Sequence, residues 1–365
     1  PKLHKNPIKF RFIIASKRCT VKTLSKNVSS IFTLLQKQVV TYHKKAHFYS
    51  GVKTNWIVHN RDPVLLAVNK SVARRSAKSV SSFDFSTLYT KIPHVKLIDV
   101  LNKIIDFTFK GGTRNTIAIN NSGTAYWRKH KNTSNTYYTK DSIIKAVSFL
   151  INNCYFKLGG KLFKQNIGIP MGSDPAPAFA NLFLFFYESS WLNSTKKTNN
   201  ILARKFGQIF RYIDDLLALN DGNSFETYFK EIYPEELQLN KENIDNSHDT
   251  FLDLHITIKD SIFTTQLFDK RDNFGFIITR LPYRESNIPD RMFYTTISTE
   301  CLRICKATSE ITQATASMNT LITRMVRQGA EINKLKNCIR KAFNRHQTGM
   351  KYGVQNRVIL ERLFK

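Results

Sequence analysis

The chain has 365 residues, 42% of them hydrophobic, and a formal charge of +29 from 56 Lys and Arg against 27 Asp and Glu. That apolar content is ample for a packed core with more than one subdomain, and the lack of any apolar run of about 18 residues excludes a membrane-spanning helix. Five cysteines, an odd number with no paired CxxC clusters, exclude a disulfide framework and a cysteine-rich zinc site, and are read as reduced thiols of an intracellular protein without a signal peptide.

The charge is unevenly placed. Residues 1–80 hold 17 Lys and Arg and one acid, Asp62, whereas residues 321–365 hold 11 Lys and Arg and two acids, Glu331 and Glu361. Basic flanks around a more acidic centre suit a polyanionic partner lying in a channel with a cation site at its floor, because Lys and Arg gain affinity by displacing counterions from phosphates. A solvated basic surface is the plainer alternative. The basic stretches do not form an obvious amphipathic membrane anchor, so no membrane partner is expected.

In chain order, residues 28–40 have the spacing of a short helix. Residues 82–89 read as a strand with Phe83 and Phe85 on one face, and residues 95–109 carry apolar residues at helical period. The Gly-, Asn-, Ser- and Thr-rich stretch 111–136 predicts a loop or hairpin. Helical spacing resumes over 141–156, and 161–170 predicts a short strand ending at Gly168 and Pro170. Ser173 or Asp174 is placed to cap the next helix, Ala178 to about Trp191, which is apolar nearly all round and should be buried.

Residues 208–219 (QIFRYIDDLLAL) are two apolar runs around an acidic pair and predict a hairpin. A helix over 224–233 stopped by Pro234, strands at 236–240 and 250–269, and a mostly helical, basic remainder from about 296 with a stop at Gly329 complete the pattern. The fold class is α+β with an antiparallel sheet.

Three acids, Asp84, Asp214 and Asp215, stand inside apolar strand patterns. An ionised carboxylate there costs several kcal/mol unless it is paired or binds a cation. Acids on facing strand ends suit two hard divalent ions about 3.5–4 Å apart, the arrangement that clamps both oxygens of a phosphoryl transfer. Taken alone, an Asp-Asp pair is more often a hairpin tip, and a lone strand Asp is more often salt-bridged.

The combination carries a resemblance. Phe83-Asp84-Phe85-Ser86-Thr87-Leu88-Tyr89-Thr90-Lys91-Ile92-Pro93 is similar to motif A of reverse transcriptases. Gly168-Ile169-Pro170-Met171-Gly172-Ser173, with Pro177 and Ala180-Asn181-Leu182, resembles motif B, and Tyr212-Ile213-Asp214-Asp215 resembles motif C. Phe251-Leu252-Asp253-Leu254, Leu281-Pro282-Tyr283 and Cys301-Leu302-Arg303-Ile304-Cys305 resemble segments of the Penelope-like retroelement branch.

That resemblance implies a right-hand polymerase: fingers in the basic N-terminal residues 1–80, a palm over 81–270 with a fingers segment inserted at about 110–165, and a helical thumb over 271–365. It implies an RNA-directed DNA polymerase with an RNA template, a DNA primer and deoxynucleoside triphosphates as partners, residing in the nucleus. Two magnesium ions, replaceable by manganese, would be held by Asp84, Asp214, the Phe85 carbonyl and, more weakly, Asp215. Tyr89 would be the steric gate against a 2′-hydroxyl.

Gly168, Gly172 and Gln165 would approach the nucleotide, and Lys9 and Arg11 would grip its triphosphate, with generic duplex contact as their alternative. Arg324, Arg327, Lys334, Arg340 and Lys341 recur at helical spacing and would track the template–primer backbone, or else form a solvated helix face. Ile167 stands beside the first glycine where the family often has Gln, and Asp174 interrupts its common Ser-Pro. No GIY-YIG endonuclease motif occurs before Lys365. The competing readings are an RNA-templated RNA polymerase and a decayed or domesticated copy that only binds RNA.

Overall fold

The computed structural model describes residues 13–110, 116–128, 135–243, 245–276, 278–279, 281–345 and 356–364. The first helix, α1 (Lys22–Ser50), is longer than the 28–40 expected from spacing and ends at Gly51 in a left-handed turn, φ 69°, whose N–H donates to the His47 carbonyl. Then come α2 (Asp62–Val72), the strand β1 (Val80–Phe85), the one-turn α3 (Leu88–Lys91) and α4 (His94–Phe109).

The Gly- and Asn-rich stretch supplies β2 (Thr116–Ile119) and β3 (Ala125–Arg128), a hairpin completed by β4 (Thr136–Thr139) in the order β3-β2-β4. Next, α5 (Lys140–Asn152) is capped by Thr139, whose side chain accepts from the Ser142 N–H. It stops short of 156, because Tyr155 already belongs to the hairpin β5 (Tyr155–Leu158) and β6 (Lys161–Lys164).

The long helix α6 (Ala176–Thr198) is buried on nearly every side, as its all-round apolar sequence predicts. Pro175 rather than Ser173 or Asp174 occupies its N-cap. The short α7 (Asn200–Lys205) leads into β7 (Ile209–Tyr212) and β8 (Asp215–Leu219), the predicted hairpin. After α8 (Ser224–Ile232) come β9 (Leu239–Lys241), β10 (His248–Phe251), β11 (Leu254–Lys259) and β12 (Ile262–Leu267). The helices α9 (Asp290–Ala307), α10 (Ile311–Arg327), α11 (Ile332–Arg345) and α12 (Asn356–Phe364) close the chain.

The central sheet is antiparallel with the order β7-β8-β1-β9. A second sheet, β10-β11-β12, stands beside it, tied to β1 by the Ser82 N–H donating to the Asp249 carboxylate at 2.8 Å. The main core joins α1, α4, α5 and α6 to one face of the central sheet. A second core links α2, the other sheet face and β10–β12. The C-terminal helices share a third, around Phe293, Met318, Leu335 and Phe343, which also covers Cys301 and Cys305. All five cysteines are free, and burial pushes the Cys305 thiol up to about 12.

The candidate active site

Asp84 is the next-to-last residue of β1, where alternation turns its side chain away from the buried Phe83 and Phe85. Antiparallel pairing sets it directly opposite Asp215, the first residue of β8. Asp214 sits in the turn between β7 and β8, and its backbone carbonyl accepts from the Phe85 N–H at 3.3 Å. The three acids the sequence singled out therefore occupy adjoining ends of two central strands. All three are half-buried.

Burial, then the charges of Asp214, Asp84 and Glu242, push the Asp215 carboxyl from the ordinary 3.8 up to about 7, while Lys270 acts in the opposite sense. Glu242 and Lys270 were not singled out in the sequence, where each is an unremarkable charge outside any motif. Among the described residues no group of three or more His, Cys, Asp or Glu side chains is arranged to hold a metal ion.

The turn is strained and braced. Ile213, a β-branched residue, takes φ 56°, a conformation that costs on the order of 1–3 kcal/mol and persists only where its surroundings fix it. The brace is Arg211, fully buried with Glu188. Its Nε donates to Glu188 Oε1 at 2.5 Å and its Nη2 to Oε2 at 3.1 Å. Nη1 donates to Asn181 Oδ1 at 2.9 Å and to the Ile213 carbonyl at 3.0 Å. The Tyr233 hydroxyl donates to the same Glu188 at 2.8 Å. A lone Arg in an apolar strand and a lone Glu in an apolar helix, 23 positions apart, give no sequence signal of this pairing.

The glycine loop is seated against the strand end. The Gly168 N–H donates to the Ile92 carbonyl at 2.8 Å, the Ile169 N–H to the Tyr89 carbonyl at 2.7 Å, and His94 Nε2 to the Gly168 carbonyl at 2.8 Å. Gly168 has φ 83°, and a Cβ there would collide with the Tyr89 carbonyl oxygen. At Gly172, φ 105°, a Cβ would collide with the Ile14 carbonyl, beside which the Ile14 N–H donates to the Met171 carbonyl at 2.8 Å.

Tyr89, half-buried on the main core, is thus placed with the loop, five residues after Asp84. Asp174 is turned elsewhere: it binds Lys22 Nζ and Ser25 Oγ, each at 2.8 Å, and fastens the loop to α1. Gln165 is used within its own loop, donating from Nε2 to the Ile167 carbonyl at 3.0 Å. Lys9 and Arg11 lie outside the described residues.

Beside the acids runs a cleft of about 720 Å³ between the central sheet and β10–β12, lined by Asp215, Glu242, Asp249, Asp269, Lys270 and Arg303. Lys241 lies opposite Phe83 in β9, but its amine pairs with Glu226 at 2.8 Å. Of the C-terminal basic residues, Arg324 pairs with Asp269 at 3.0 Å and Lys334 with Glu331 at 3.1 Å. Arg327, Arg340 and Lys341 are exposed.

No family model matches the chain, and no curated protein matches it. Among solved structures, telomerase from Candida albicans in complex with the TWJ fragment of telomeric RNA superposes with a TM-score of 0.51 at 11% identity, over 93% of this chain and 58% of that one. Apo telomerase from Candida tropicalis gives 0.48 at 13% identity, over 91% and 61%. The Sicinivirus 3Dpol RNA-dependent RNA polymerase gives 0.38 at 13%, over 77% and 54%. The chain spans about 58% of the length of the first of these. Its mixed α+β architecture, with antiparallel sheets and helices, is related to the right-hand polymerase fold.

Proposed function

We propose that the chain is a template-directed nucleic-acid polymerase, and more specifically an RNA-directed DNA polymerase of the Penelope-like kind. The observation that carries this reading is the direct facing of Asp84 and Asp215, with Asp214 in the adjoining turn. Like charges held together on strand ends are costly unless a cation binds between them, and the donors are carboxylate oxygens, which suit magnesium. Asp84, Asp214 and the Phe85 carbonyl would hold the ions, with Asp215 in support. When bound, magnesium lowers the pKa of a primer 3′-hydroxyl and neutralises charge on the triphosphate.

The chain's own role is positioning. Arg211 and Glu188 hold the Asp214-Asp215 turn in place. Gly168 and Gly172 let the loop pack against the Tyr89 and Ile14 carbonyls, where any Cβ would collide, and the loop so seated would bring its backbone close to an incoming nucleotide. Tyr89, one turn past Asp84, would sit under the sugar and reject a 2′-hydroxyl. Residues 1–80 would be fingers, 81–270 palm and 271–365 thumb around an RNA template and DNA primer.

A second reading, an RNA-binding protein without catalysis, is favoured by the absence, among the described residues, of a preformed three-ligand metal group. Primer extension on an RNA template with magnesium and deoxynucleotides separates the two. Extension by the wild type that Asp214→Asn abolishes supports the polymerase. Binding of template–primer without extension supports the second reading. Equal extension by both proteins rejects the metal assignment, and equal use of ribonucleotides by the wild type points to an RNA polymerase.

A further inference from the structure

The last two turns of α1 expose Phe48 at 84% and Tyr49 at 85%, beside exposed Lys44 and Lys45. Isolated exposed apolar side chains are ordinary. Two adjacent rings standing almost wholly in solvent on a helix anchored from beneath are less so. The anchor is clear: His43, on the inner face, is buried, 2.6 Å from Thr54 Oγ1 and edge-on to Phe185, while Tyr42 packs edge-on to Phe107. The outer residues are therefore presented on a rigid element.

The neighbouring wall is also basic. The α-helix ends at Gly51 beside Arg204, whose Nη2 lies 3.5 Å from where a Gly51 Cβ would be. Beyond it, Lys53 Nζ donates to the Ile209 carbonyl at 2.6 Å and Trp56 stacks on Phe206 at 6.0 Å, so segment 51–56 lies along 204–209. That second segment brings Lys196, Lys197, Arg204, Lys205 and Ile201, which is 78% exposed. Neither residues 1–61 nor residues 189–213 contain a single acid. Ile209 is the end of β7 opposite Tyr212, which places this face at the far end of the strand from the acid pair.

We propose that this face, Phe48 and Tyr49 with Lys44, Lys45, Arg204 and Lys205, is a second nucleic-acid surface that takes unpaired nucleotides of an RNA strand. Cations track the phosphates, and the rings offer π-faces to bases. The Phe48 and Tyr49 rings are 5.4 Å apart and nearly perpendicular, at 85°, so one ring stacks flat on a base while the other meets its edge. A duplex buries its bases and would leave both rings without a partner, which is why the occupant is single-stranded.

The test is fluorescence anisotropy of a labelled, unstructured RNA of about 20 nucleotides, long enough to span such a site, and of a hairpin RNA of equal length, on the full chain in chelator. For Phe48→Ala/Tyr49→Ala we expect about a tenfold weaker hold on the unpaired strand, less than about twofold change on the hairpin, and an unchanged salt slope. Lys44→Gln/Lys45→Gln should weaken both RNAs and flatten the salt slope by about two. Ultraviolet crosslinking of the unpaired strand should map to the peptide containing residues 46–53. Equal loss on both RNAs in Phe48→Ala/Tyr49→Ala, or no loss on either, overturns the proposal. So does a ring-dependent hold on anionic phospholipid vesicles without one on RNA.

Discussion

Asp84 and Asp215 face each other directly across the antiparallel pairing of β1 and β8. Like charges on facing strand positions repel, and the repulsion is visible in Asp215, held by burial and by its acidic neighbours at about 7 rather than 3.8. An acid whose folded pKa lies above its unfolded one makes the folded chain bind the extra proton. Stability without a divalent cation therefore falls as pH rises from about 4 through about 7.

Asp215→Asn should remove that slope. Above about pH 8, in chelator, the variant should be more stable than the wild type by about 2 kcal/mol, discounted for partial exposure, and the two should converge near pH 4. Urea denaturation at both pH values measures it. A wild type that matches the variant at high pH would show that the three acids do not interact.

Arg211 and Glu188 are a buried pair that supports the same turn, and their deletion should be non-additive. Arg211→Met leaves Glu188 buried and uncompensated and should cost about 3–5 kcal/mol. Arg211→Met/Glu188→Leu should recover much of that stability, because no charge is left unpaired. Extension activity should not recover with it, since the Ile213 carbonyl has still lost its donor. Tyr233→Phe should cost about 1 kcal/mol. Recovery of both stability and activity in the double variant would show that the network only fills space.

Much of this site was legible in the sequence because its strands are short and largely apolar on either side of the acids. Asp84 between two Phe residues and the Asp214-Asp215 pair between apolar runs marked the strand and the hairpin that carry them. The support was not legible. Arg211 and Glu188 each look like a defect in an apolar run until the fold brings them together. Asp174 reads as a helix cap or a site acid, yet Lys22, 152 positions away, claims it. The outer half of α1 is not legible either, because Lys44, Lys45, Phe48 and Tyr49 break the apolar period that predicts a helix over 28–40. Arg324 recurs at helical spacing with the other basic residues, but only the fold shows that Asp269 takes it.

Gly168→Ala should act on the glycine loop specifically. The added Cβ meets the Tyr89 carbonyl and its neighbouring backbone, neither of which can swing aside, and φ 83° is strained for alanine in any case. A loss of about 1–3 kcal/mol in stability is expected. In extension assays KM for the nucleotide should rise by more than kcat falls, because the loop and Tyr89 move together. Gly123→Ala, at φ 80° but with no atom nearby, is the control for strain alone and should leave KM unchanged.

Tyr89→Ala distinguishes the polymerase readings. If the ring underlies the sugar, its removal should raise ribonucleotide incorporation relative to deoxynucleotide by on the order of tenfold or more, with a smaller fall in deoxynucleotide use. Single-nucleotide extension with matched ribo- and deoxyribonucleotides reads the ratio. An unchanged ratio would remove Tyr89 from the sugar site without touching the acids.

Asp253 joins three regions of the chain. In the turn between β10 and β11 it accepts from Arg61, just before α2, at 2.5 Å and from Arg303 on α9 at 3.0 Å. Arg61 also donates to the Arg303 carbonyl at 3.1 Å. Burial works to raise the Asp253 carboxyl, but the two guanidiniums hold it below the usual range. Its stabilisation is thus present above about pH 4 and lost as pH falls through the depressed value.

Asp253→Asn should cost about 1–2 kcal/mol at neutral pH and nothing once the wild-type carboxyl is protonated. Because the turn ties α9, the first of the C-terminal helices, to the sheet beside the acids, the variant should release template–primer sooner. Products in a single-encounter extension should shorten while the rate of the first addition stays within about twofold. A slowed first addition with unchanged product length would instead mean that the tie shapes the acid site itself.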